Sequence, residues 1–261
     1  VLAIGAHPDD VEIICSGTLL LLAEAGCEIH VASLTAGDGG SATLSSHEIA
    51  SVRLEEARRA SASIGAKYHC LQFRDLAIFD DDASNRRVTA CMREVDPRIV
   101  FTHPPADYIS DHETTSRLVR NACFAAPVRN YDTSMVSPAA ATVAIPYLFY
   151  AHPIEGIDIH GCEVRPRLFV DISDVIDRKL AMLAHHESQR EWLRAHHGLD
   201  EYVEAVKRWN AQLAVGASQA AGRGVRHAEA FLPHHGHAYP RGAILHELLG
   251  ERTIDPEDAR R

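Results

Sequence analysis

The chain is expected to be an α/β protein, with a Rossmann-like doubly wound, mostly parallel sheet, helices on both faces and a C-terminal helical extension. Three observations predict this. Four apolar, strand-like runs alternate with helix-like segments in the first 125 residues, the order that builds βαβ units. Crossovers of such units are right-handed almost by rule, so the loops after all four strands open on one edge. Hydrophobic residues make up 46% of the 261 and charged residues 24%, enough for a full core under an ordinary surface. The chain reads as a single domain, 1–261, in which 1–125 form a βα core carrying the site and 126–261 add strands and C-terminal helices.

In order, 1–6 is a strand, and 11–25 a helix with apolar residues on a 3.6-residue stripe. Residues 27–35 form the second strand, leading into the Gly-rich turn Gly37-Asp38-Gly39-Gly40. That turn lacks GxGxxG spacing, which excludes a dinucleotide site. Residues 46–64 are a long amphipathic helix, and 67–73 the third strand, followed by an acidic turn-rich stretch at Asp80-Asp81-Asp82. A helix over 87–94 stops at Asp96-Pro97. The fourth strand, 98–103, leads into a loop and a helix from Glu113 to Asn121. Beyond an irregular connection come strands at 141–151 and 165–173 and a helix from Asp174 through Leu183. Two further helical stretches run to about Ala220, followed by 223–230 and a Pro- and His-rich tail that frays beyond Glu251.

The net charge of −10 excludes the basic footprint of a nucleic-acid binder. No apolar run reaches the roughly 18 residues that a membrane span needs. Val1 begins inside a strand-like run, so an initiator Met or short leader is expected upstream. Six scattered cysteines without CxxC spacing read as mostly buried free thiols, which suits a reducing cytoplasm. Among 17 histidines, the pairs His185-His186 and His196-His197 and the group at 234–237 read as partly exposed polar residues. The late helices and this tail offer surfaces for a homo-oligomer.

Chemistry concentrates in two loops. Ala6-His7-Pro8-Asp9-Asp10-Val11-Glu12 follows the first strand, and Asp107 to His112 follows the fourth. Each alone could be a helix cap. Placed on one sheet edge, His7, Asp10 and His112 make a two-His, one-carboxylate set that suits Zn²⁺ or another divalent metal and leaves a position for water. Asp9 then stays unligated beside the water as general base.

These stretches resemble the PIG-L/LmbE family of zinc-dependent de-N-acetylases. The match rests on HPDDVE at 7–12 with Gly17-Thr18, on Asp111-His112, and on Leu34 to Asp38, Arg53-x-x-Glu56-Ala57, Gly65 and Lys179 through Gln189. The resemblance implies metal at His7, Asp10 and His112, with Asp9 as base. It also implies substrate contacts from Arg53 and from the loop holding Asp38, although Arg53 could equally form a helix ion pair with Glu56. The implied reaction removes acetate from the N-acetyl-amino sugar of a small glycoconjugate. A carboxylate-rich site in a −10 chain fits a neutral conjugate better than a polyanion. The alternatives are a zinc amidase for a larger acyl group and a catalytically impaired metal- and sugar-binding homologue.

One departure from the family pattern stands out. Where the family has His-x-Asp-His, this chain has Ile109, which can donate neither a proton nor a hydrogen bond. Either another histidine substitutes (His227, or else His152), or the metal and Asp9 suffice, or the chemistry is slower or different.

Overall fold

The structure is a computed structural model that describes residues 1–190 and 201–256. Its strands are β1 (Leu2–Gly5), β2 (His30–Thr35), β3 (Lys67–Phe73), β4 (Ile99–Thr102), β5 (Tyr147–Ala151), β6 (Leu168–Asp171), β7 (Ala228–Pro233) and β8 (Thr253–Ile254). They form one eight-stranded sheet in the order β3-β2-β1-β4-β5-β7-β6-β8. The first five strands are mutually parallel, whereas β7 runs antiparallel to β5 and β6, and β8 antiparallel to β6. The fold is therefore the expected mostly parallel α/β sheet.

Alternation along the strands sorts the core into two layers. Leu2, Ile4, Leu34 and Val100 face Val88 and Met92 of α4 (Asp82–Val95) and Leu118 and Val119 of α5 (Ser110–Ala125). Ala3, Val31, Ile99 and Phe101 face the opposite layer. There they meet Leu19 and Leu20 of α2 (Ser16–Glu24), Ile176 of α6 (Ile176–Leu183) and Ile244 of α8 (Ile244–Leu249). β1 and β4 are buried throughout, as strands covered by helices on both sides must be. The long α3 (Ser46–Ser63) begins with a capping box between Ser45 and Glu48. The later helix α7 (Glu201–Ala221) packs on β6 and β7 through Ala214 and Ala217.

Several boundaries differ from the sequence expectation. The helix expected over 11–25 is broken at Cys15 (φ −151°) into α1 (Asp10–Ile14) and α2. α4 starts five residues before the expected Arg87, because Asp81 caps it by accepting a hydrogen bond from the Ser84 N–H at 2.8 Å. The acidic run read as a turn is thus a helix start. α5 extends beyond 113–121 at both ends, whereas the strand expected at 141–151 keeps only its C-terminal end, β5, and that expected at 165–173 only its centre, β6. The tail does not fray at Glu251: β8 pairs with β6, and α8 precedes it. The second late helical stretch is α7, whereas the expected structure over 191–200, with the His196-His197 pair, lies outside the described residues. His186 is fully buried rather than partly exposed. All six cysteines are free, but only Cys15, Cys91 and Cys123 are buried, and Cys162 is exposed. Among the described residues no helix is long and apolar enough to cross a membrane.

The consequence for function lies between β1 and β4. Strand order runs outward through β2 and β3 on the β1 side and through β5 on the β4 side, so the carboxyl ends of this pair flank the topological switch point where such sheets bind ligands.

Candidate active site

Two loops meet at that point. After β1 the chain turns through His7 and Pro8 into α1, whose N-cap is Asp9. Asp9 has φ 104° and ψ −25° and its carboxylate caps nothing, a strained arrangement for a non-glycine residue. The turn is held by the His7 N–H donating to Asp10 Oδ2 at 2.7 Å. Gly5 is required beneath it, since a Cβ there would lie 2.6 Å from that of Asp10. After β4 the chain passes His103 and Asp107 to reach Ile109, the N-cap of α5, with Asp111 and His112 in the first turn.

His7, Asp10 and His112 each offer a ligand atom, and these atoms lie within 4.8 Å of one another. Asp10 is central: its Oδ2 is 3.5 Å from His7 Nδ1 and its Oδ1 3.4 Å from His112 Nε2. The other nitrogen of each imidazole faces a carboxylate, His7 Nε2 at 3.0 Å from Asp111 Oδ2 and His112 Nδ1 at 3.2 Å from Asp107 Oδ2. Asp111 thus orients His7, across the loop, and not its neighbour His112. Asp75 places a further carboxylate 4.0 Å from His7 Nε2.

Five carboxylates therefore surround three imidazoles, and the proton equilibria reflect it. Burial opposes the charged form of His7, but hydrogen bonds and charge from Asp10 and Asp111 raise its pKa to about 10. His112 is raised to about 9 against its burial, by Asp10 and Asp107. Burial pushes the Asp10 carboxyl up, yet His112 and His103 outweigh it and hold the group well below the usual range. Burial raises the Asp9 carboxyl above its ordinary pKa despite the opposing Arg53 guanidinium. A buried pocket that holds two imidazoles so strongly protonated has an excess of negative potential. One divalent cation on His7 Nδ1, Asp10 and His112 Nε2 would answer it, with Asp111 and Asp107 fixing the two rings from behind. The donor set and its partners fit such an ion.

A second group, His103, Asp107 and His112, is equally close but poorly suited to metal. The His103 and His112 rings stack at 3.8 Å with 12° between planes, so their in-plane lone pairs run parallel and cannot converge on one ion. His103 instead places Nε2 3.0 Å from Asp10 Oδ2 and holds that carboxylate from behind.

The remaining expectations sort unevenly. Asp9 receives the Tyr202 hydroxyl on Oδ2 at 2.6 Å, and Arg53 approaches its Oδ1 at 3.4 Å. Arg53 is 4% exposed and donates to the Pro8 carbonyl at 2.6 Å. The Gly-rich turn wraps this side chain closely: a Cβ on Gly37 would lie 2.6 Å from it. Arg53 thus sits under the His7–Asp10 loop, not in an open cleft and not in an ion pair with Glu56, which instead accepts from the Ser188 N–H and hydroxyl. Asp38 accepts the Asp75 N–H at 2.8 Å and pairs with Arg74, holding the loop after β3. The charged neighbours of His227 are Lys207, Arg226, Asp177 and Asp171, none of which belongs to the metal-ligating set. His152 is spent on the Val164 carbonyl at 2.6 Å.

Comparison with known proteins follows the same lines. A family model for PIG-L, the GlcNAc-PI de-N-acetylases, matches residues 2–123. The diacetylchitobiose deacetylase of Thermococcus kodakarensis is 30% identical over 202 residues, 72% of this chain and 69% of that protein. The chain belongs to the PIG-L family. Among solved structures, the N,N'-diacetylchitobiose deacetylase of Pyrococcus horikoshii superposes with a TM-score of 0.71 at 25% identity, covering 93% of this chain and 87% of that one. The 4-carboxy-2-hydroxymuconate hydratase GalB of Pseudomonas putida superposes with a TM-score of 0.77 at 25% identity, covering 93% and 99%. The structural likeness thus reaches both a deacetylase and a hydratase.

Proposed function

We propose that this PIG-L protein is a metal-dependent amidohydrolase that removes the acetyl group from the N-acetylated amino sugar of a small glycoconjugate. The observation that supports it best is the convergence of His7, Asp10 and His112 within 4.8 Å, with the Asp9 carboxylate beside them and uncommitted to a helix cap. In this reading those three residues hold Zn²⁺, which when bound supplies Lewis acidity and lowers the pKa of water towards neutrality.

The chain's own groups do the rest. Asp9 takes the proton of the water that adds to the acetyl carbonyl. Its burial-raised pKa brings it nearer working pH, where a general base is most effective. Tyr202 and Arg53 fix its two oxygens. Ile109, the N-cap of α5, has no proton to give, so Asp9 passes the same proton to the departing nitrogen, and acetate and a free amine leave. The test is acetate release from N-acetylglucosamine glycosides, with and without chelator. Wild type should show chelator-sensitive release, and Asp9→Ala a rate lower by roughly 10²- to 10⁴-fold. Absence of metal-dependent acetate from every glycoside would refute the reading.

The likeness to GalB favours a second reading, addition of water across a conjugated C=C bond by the same base. Loss of ultraviolet absorbance from a carboxylated muconate, dependent on metal and Asp9, would replace the first reading with this one.

A further inference from the structure

Beside the metal-ligating set lies a solvent-open cleft of about 660 Å³, between the β4–α5 loop and the connection from β5 to β6. Its near wall is Asp107 and Tyr108, and the Tyr108 ring stands edge-on to His112 with centroids 5.2 Å apart. Its far wall carries Ile154, Ile157 and Ile159.

That far wall is a small self-held hairpin. Ile157 bridges Glu163, and the Val164 N–H donates to the Gly156 carbonyl at 2.9 Å. The Asp158 carboxylate accepts the N–H groups of His160 and Cys162 at 2.8 and 2.9 Å, so its charge is used inside the turn. The hairpin's shape therefore does not depend on its isoleucines, and they add little to the core: Ile157 is 41% and Ile159 60% exposed, with Tyr108 opposite at 71%. Three large apolar side chains lining one cleft beside a reactive centre form an apolar surface. The charged residues that line it are Asp107, Glu155 and Asp158, and no Lys or Arg lines it among the described residues. An anionic occupant would meet only like charge.

We infer that this cleft binds an uncharged apolar substituent, alkyl or aryl, carried on the amino sugar on the side away from the acetamide. The inference rests on the amidohydrolase reading for the sugar's placement, but the cleft itself is built from residues that do not ligate metal. Its substrate is an amino-sugar conjugate with an apolar aglycone, not a carboxylated one.

The test uses the Zn²⁺-loaded protein and three N-acetyl-β-glucosaminides, with methyl, hexyl and 5-carboxypentyl aglycones. Calorimetric Kd values are measured for wild type and for the Ile157→Ser/Ile159→Ser double variant, whose sites are exposed and little needed for folding. Partial burial of the added methylenes predicts that hexyl binds about tenfold tighter than methyl, with a more negative heat-capacity change. The carboxypentyl glycoside should lose that advantage, and the double variant should bring the hexyl-to-methyl ratio close to one. Equal affinities in wild type, no binding of either glycoside, or an advantage that survives in the double variant would overturn the inference. So would a concentration-dependent dimer, seen by light scattering, that the double variant abolishes while leaving the ratio intact, since the face would then be an interface between copies. Acetate is assayed in the same samples: hexyl selectivity without acetate sinks the amidohydrolase reading alone, and acetate without selectivity sinks this inference alone.

Discussion

Lys179 and Glu229 form a fully buried ion pair, with side chains 0% and 1% exposed, and its disruption gives a sharp test of how the site is held. Lys179 Nζ donates to Glu229 Oε1 at 2.6 Å and to the Ile13 carbonyl at 2.7 Å. Glu229 also accepts the N–H groups of Gly17 and Thr18 and the Thr18 hydroxyl, at 2.6 to 2.8 Å. The pair thus ties the end of α1 and the start of α2, on either side of the break at Cys15, to α6 and β7. Lys179→Met removes the only cation that this carboxylate contacts among the described residues and leaves the Ile13 carbonyl unpaired. Breaking a buried pair from one side costs about 3–5 kcal/mol, roughly a hundred- to several-thousand-fold in the folding equilibrium. Urea unfolding of the metal-free protein, followed by far-ultraviolet circular dichroism at one pH, measures it. Lys179→Met/Glu229→Gln removes both charges and should be less destabilised than Lys179→Met alone. A loss below about 1 kcal/mol in Lys179→Met, or a double variant worse than the single, would refute the argument.

Other outcomes follow from the proposed site. The raised Asp9 carboxyl must be ionised to act as base, so kcat/KM should fall as pH drops through a pKa above the ordinary carboxylate range. Tyr202 favours the ionised form by donating to it, so Tyr202→Phe should move that acid limb to higher pH. A pH–rate profile with an unmoved limb would show that Tyr202 does not act on the base. Asp111→Ala frees the His7 ring from its 3.0 Å partner and should weaken metal affinity roughly 10- to 100-fold, read by competition with a chelating dye. Unchanged affinity would remove His7 Nε2–Asp111 from the account.

The sheet and the two loops were legible because their signals are local. Strand-length apolar runs ending in HPDD and in Asp111-His112 need only the right-handed crossover rule to arrive on one edge. Side chains that reach the site from afar left no such trace. Tyr202 meets Asp9 across 193 positions, and nothing in its helical surroundings marks it. His103 was hidden by reading as the last residue of a strand, although a histidine ending a central strand at the switch point is itself a signal. Spacing alone leaves Arg53 open between the substrate and a helix partner at Glu56, whereas tertiary packing gives it the Pro8 carbonyl. His227 and His152 are candidates only as histidines near strand ends; His152 is taken by the Val164 carbonyl, and the charged neighbours of His227 are not those of the metal-ligating set.

The backbone at Asp9, with φ 104° and ψ −25°, favours glycine over any residue that carries a Cβ. Asp9→Gly would relieve that strain and remove a buried carboxylate, against one lost hydrogen bond from Tyr202 and the lost 3.4 Å contact with Arg53, whose guanidinium keeps the Pro8 carbonyl. It should melt no lower than wild type while losing acetate release as far as Asp9→Ala does. Selection for thermal stability alone, in a mutant library or in a computational redesign, would thus drift towards Gly at this position and disarm the protein without leaving a visible mark on its fold.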